Sequence, residues 1–143
     1  MAYKLGLDAK LFHGPVGTTA SSELVNVKDV TLSLETGEAD ITTRAAKGWR
    51  ATAATLKDAS IEFEMLWDTK DEGFKAIKEA YFTGKPIALF VSDGEGSGLD
   101  ADMVITGFSR NEPLEEALTV SVTAKPTIVD RAPEWKDGGD SGA

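Results

Sequence analysis

Four segments of this chain alternate apolar and polar residues with a period of two, the spacing of strands that keep one face in a core and the other in water. Val30, Leu32 and Leu34 alternate with Thr31, Ser33 and Glu35, and Ile61, Phe63, Met65 and Trp67 alternate with Glu62, Glu64 and Leu66. Met103 and Ile105 alternate with Asp102, Val104 and Thr106, and Leu118, Val120 and Val122 alternate with Thr119, Ser121 and Thr123. A fifth run, 87–91, is apolar on both faces and is expected to be covered on both sides. The opening segment 3–11, with Leu5, Leu7 and Ala9 on one side, reads as a weaker strand.

One segment has the helical period instead. Thr69 and Glu72 have the capping-box spacing, Phe74, Ile77 and Tyr81 share one face, and Gly84 followed by Pro86 ends the run. A helix over about 71–83 is expected to lie on the sheet through that face, with Lys75, Lys78 and Glu79 turned to solvent. The stretch 35–56 is mostly small and polar, with only Ile41, Trp49 and Leu56 as large apolar residues. It is too long for a turn, and a structureless stretch of this length means function, disorder or an arm that packs on a neighbour.

These parts predict a mainly β (α+β) fold: an antiparallel β-sandwich or partial barrel with one flanking helix and a long strand-to-strand arm. The domain is expected to span 1–129. Residues 130–143, where Pro133, Gly138, Gly139 and Gly142 stand among four acids, read as a flexible acidic tail.

Candidate chemistry is sparse. The 143 residues contain no cysteine, which removes disulfides, thiolate metal sites and cysteine nucleophiles together. His13, the single histidine, stands in a turn-like Phe12-His13-Gly14-Pro15 without a titrating partner nearby. Ser97 misses the nucleophile-elbow spacing because Leu99 occupies the second glycine position. The acidic glycine loop 93–102 invites a calcium reading, but Val104 stands where an EF-hand needs its bidentate acid, and no Lys-Ser/Thr follows the glycines as a phosphate loop requires. It reads as a solvated hairpin connection. Glu62 and Glu64 share a strand face as a glycosidase pair might, yet two solvated acids on a strand are far commoner. No catalytic residue, metal site or cofactor is expected. No stretch of about 18 apolar residues and no export signal is visible, so no membrane partner is expected.

The order of parts resembles a phage major tail tube protein. The likeness is carried by the strand at 27–34, the Thr-rich arm with Gly37-Glu38-Ala39-Asp40-Ile41-Thr42-Thr43-Arg44 and Gly48-Trp49-Arg50, the segment 56–64, the helix, and the closing strand 118–127. It covers about 3–127. The resemblance implies a small β-sandwich that assembles into hexameric rings, stacked as a hollow tube in the virion tail and made in the bacterial host cytoplasm. The implied partners are the chain itself and other tail proteins at the tube ends, with DNA only in passage. Contractile-injection and type VI secretion tubes share this fold and are sister readings.

The net charge of −9, from 15 Lys plus Arg against 24 Asp plus Glu, agrees with passage, because a basic wall would hold the phosphate backbone while an acidic or neutral one lets it slide. The expected lumen wall is Thr31, Ser33, Glu62, Glu64, Thr106, Thr119, Ser121 and Thr123. In the arm, Arg44, Lys47, Trp49 and Arg50 are expected to contact a neighbouring subunit. The competing reading is a monomeric β-sandwich that binds a ligand such as carbohydrate through Trp49 or Trp135.

Overall fold

The computed structural model describes residues 9–128 and 131–137. Eight strands and one helix follow in the order β1 (Lys10–Gly14), β2 (Ser22–Glu23), β3 (Val27–Asp40), β4 (Thr52–Leu66), α1 (Glu72–Thr83), β5 (Ile87–Ser92), β6 (Gly98–Asn111), β7 (Thr119–Pro126) and β8 (Glu134–Lys136). All strand pairs are antiparallel, in the order β2-β1-β5-β6-β7-β4-β3, with β8 on β6. The mainly β architecture with one flanking helix is as the periodicity indicates. The strands form one continuous sheet that curls toward a partial barrel, since Leu11 of β1 and Val91 of β5 line a cavity with Val27, Val30 and Leu32 of β3, the edge strand at the opposite end of the order.

The ladder turns alternation into a core. On β4, Ile61 faces Leu32 and Ala124, and Phe63 faces Val30 and Val122, so neighbouring strands present their apolar residues on one side. Phe74, Ile77 and Ala80 of α1 close over that side and join Ile61, Phe63, Met65, Met103 and Val122 in one buried cluster. Each fully buried large apolar side chain contributes about 1.5–3 kcal/mol. Lys75, Lys78 and Glu79 are exposed as expected. No helix among the described residues is long and apolar enough to cross a membrane.

The helix starts differently from the capping-box expectation. Asp71, not Thr69, is the N-cap, its carboxylate accepting the Phe74 amide at 2.9 Å. An Asp one residue before the helix competes successfully because its oxygen reaches the same orphan amides and its charge suits the positive helix end. Gly84 ends the helix at φ 72°, a conformation glycine adopts without strain.

Three further expectations are corrected. Residues 35–56 are not a structureless arm: β3 and β4 pair from Val27↔Met65 to Asp40↔Thr52 as a long hairpin. Its outer part exposes both faces, so no hydrophobic alternation marks it. Gly37 lies at the register shift between Thr36 and Glu38, where a Cβ would overlap the Thr55 hydroxyl. His13 is not in a turn but in β1, half-buried and facing Leu89. Of the loop 93–102, only the first part is solvated, because Asp100 and Asp102 lie in β6 and are fully buried. The expected opening strand falls largely on residues 1–8, outside the described residues.

β7 and β8 are two parts of one line along β6. Pro126 faces Met103, the Thr127 amide donates to the Asp102 carbonyl, and Glu134 then faces Asp100. The described residues beyond 130 therefore lie against the sheet, while 138–143 are outside the described residues.

Candidate functional site

The side of the sheet away from α1 carries the polar partners of the core residues. Glu62 of β4 faces Thr31 on one neighbour and Thr123 on the other, giving a row Thr31-Glu62-Thr123 that runs on to Gly107 of β6. The next row is Glu64-Ser121-Ser109, and Ser33 faces Ser60 on the other flank. Thr106 is the extra residue of a bulge between Ile105 and Gly107, and its hydroxyl donates to the Thr123 carbonyl at 3.3 Å. β3, β4, β7 and β6 are consecutive, so Thr31, Ser33, Glu62, Glu64, Thr106, Ser121 and Thr123 form one continuous polar surface. Thr119 keeps the same alternation but is only 7% exposed. Lys28 reaches Glu64 at 3.6 Å, so one of the two acids has a partly compensating cation.

The hairpin tip is a second surface. Asp40 accepts the Thr42 amide at 2.9 Å, the Thr42 hydroxyl accepts the Ala51 amide at 2.8 Å, and the Ile41 amide donates to the Ala51 carbonyl. These bonds close the base of a loop whose single helical turn, Arg44–Ala46, ends on Lys47 at φ 54° and Gly48 at φ 86°. The loop is thus shaped by its own hydrogen bonds and held apart from the core. Arg44, Lys47 and Arg50 are exposed and make no ion pair among the described residues, and Trp49 is 78% exposed. Trp135, the other candidate aromatic, stands 53% exposed on β8 beside Leu34 and Ile128.

A third constellation is invisible in the sequence. Asp100 and Asp102 point to the polar side of β6, where Arg131 meets Asp100 at 2.9 Å and Asp102 at 3.1 Å, and Lys136 approaches Asp100 at 4.0 Å. The Gly17 amide and the Thr19 hydroxyl bond the same two carboxylates at 2.9 and 2.8 Å. Asp100 Oδ1 and Asp102 Oδ2 have no hydrogen-bond partner among the described residues. The pair raises the Arg131 pKa above its ordinary value, first through the hydrogen bond to Asp100. Only the period-two spacing of the two acids hinted that they share a strand face. Among the described residues no group of three His, Asp or Glu could hold a metal ion.

The family model for phage tail tube proteins matches residues 16–127, most of the chain and every strand of the polar surface. The chain belongs to the phage tail tube protein family. No curated protein sequence matches it. Several solved structures resemble this tail tube protein. One is the tail of an empty gene transfer agent particle, determined with helical refinement and C6 symmetry, with a TM-score of 0.76, 16% identity, and coverage of 94% of this chain and 100% of that one. The virion of a native gene transfer agent particle gives a TM-score of 0.76 at 13% identity over the same shares of the two chains. The SPP1 tail tube, a hybrid of solid-state NMR and cryo-EM, gives 0.69 at 16% identity over 98% of this chain and 84% of that one. At such identities the likeness is one of fold. Arg131 and β8 lie beyond the span that the tail tube model matches.

Proposed function

We propose that this tail tube protein assembles head to tail into hexameric rings that stack as a hollow virion tail tube, with the polar surface of β3, β4, β7 and β6 lining the channel. The observation that carries this reading is the continuity of that surface across four neighbouring strands whose other side is core. Alternating polar residues toward an aqueous interior are what large barrels display. A closed ring follows from one heterologous contact repeated, and rings stacked with one polarity extend without a natural limit.

Threonine, serine and two glutamates on the wall suit passage of DNA, which carries about one charge per 1.7 Å and would be held by a basic lining. The helix then faces outward. The role is structural, not catalytic, and the partners are further copies of the chain and the proteins at the tube ends.

The hairpin supplies an inter-subunit contact. From Ile61, the outermost β4 residue paired to β7, to Thr52 is about 30 Å of extended chain whose ladder partner is β3 alone. A two-stranded ribbon is marginally stable in water by itself, so it gains most by lying on a neighbour. Native mass and negative-stain images of the purified protein test the reading: rings or tubes are expected, and a monomer at 15.2 kDa would contradict it.

A further inference from the structure

The sheet places two clusters of opposite charge at its two ends. β4 runs from Thr52, beside the hairpin tip, to Leu66, which pairs with Thr119 just past the β6–β7 connection 112–118. That connection carries Glu112, Glu115 and Glu116 around Leu114, which is fully exposed. Glu112 is engaged by Arg110 at 3.3 Å, whereas Glu115 and Glu116 make no ion pair among the described residues. At the far end Arg44, Lys47 and Arg50 surround the exposed Trp49.

The two clusters cannot serve each other within one subunit. They are separated by the length of β4, about 45 Å of strand, against a screening length of about 8–10 Å at ordinary ionic strength. Between copies they complement each other in charge, and each has a large apolar residue at its centre.

We infer that the hairpin tip of one subunit docks on the 112–118 loop of a second copy in the next ring, Arg44 and Arg50 against Glu115 and Glu116, with Trp49 seated beside Leu114. This rests on the tube reading and adds to it the acceptor surface and the origin of the stacking polarity. Tip against tip, or loop against loop, brings like charges together, which selects the head-to-tail stack.

Charge reversal in the full chain tests it. Arg44→Glu with Arg50→Glu, and separately Glu115→Arg with Glu116→Arg, should each cut the yield of stacked tubes by about tenfold or more while single rings and the melting temperature persist. Combining all four restores the complementarity and should bring tube yield back to within about threefold of wild type. Loop reversal that leaves tube yield at the wild-type level, or a combined variant no better than either parent, overturns the docking while leaving the tube itself intact. Wild-type protein that forms neither rings nor tubes overturns the tube reading and the docking with it. Should a variant melt early, the salt series on wild-type tubes decides: raising salt from about 0.05 to 0.5 M should shorten them, and unchanged lengths contradict the inference.

Discussion

Arg131 is the residue on which most electrostatic energy converges, because two fully buried carboxylates share its guanidinium. Removing one partner of a buried ion pair strands the others, so Arg131→Ala should destabilise the monomer by about 3–5 kcal/mol in urea unfolding. Replacing Arg131, Asp100 and Asp102 together by Met, Leu and Leu should recover part of that loss, since the desolvation cost of the three charges disappears while the Gly17 amide and Thr19 hydroxyl lose their acceptors. Beyond the period-two spacing of the two acids, none of this was legible in the sequence. The acids stand in a glycine-rich, apparently solvated stretch, and their partner arrives from a segment whose composition reads as a tail. His13 gives a pH signature. Burial lowers its pKa below 6.5, with Asp71 partly opposing. The folded state therefore binds fewer protons than the unfolded chain just below that value, so its stability is fully present above pH 6.5 and declines as pH falls toward the folded pKa. His13→Gln should remove this part of the decline, seen as a smaller difference between melting temperatures at about pH 7.5 and 5.5.

Among the elements, α1 and the inner parts of four strands were legible because burial on one face leaves a periodic trace, and β5 because burial on both faces leaves an apolar run. The hairpin was not, because both faces of its outer part are exposed and its pairing is set by a ladder that no apolar pattern records. The start of α1 separates two readings sharply. Asp71→Ala should cost about 1 kcal/mol through loss of the Phe74 amide bond, whereas Thr69→Ala should be near neutral in thermal melting. Ile77 is fully buried, and Ile77→Ala should cost about 2–5 kcal/mol. A loss below a few tenths would mean that the helix does not pack through this face. The outer hairpin should exchange its amides rapidly in the monomer and slowly in the assembly, where a neighbour covers it.

At the scale of the whole molecule, the tube was legible only through family resemblance, since alternation describes a wet face and cannot say whether it meets bulk water or a channel. The structure adds that the expected wall residues lie on four consecutive strands, with Thr119 the buried exception. Reversing the sign of that wall is informative. Glu62→Lys with Glu64→Lys should leave assembly and melting largely intact but slow DNA transit, because the wall would then release counterions from phosphate and hold the duplex. The placement of the wall itself decides the account most directly, and cryo-EM of the assembled protein reads it. The expected map is a six-fold ring stack with Thr31, Glu62 and Thr123 facing the channel and α1 on the outside; a stack in which those three residues face outward, or particles with no channel, would contradict it.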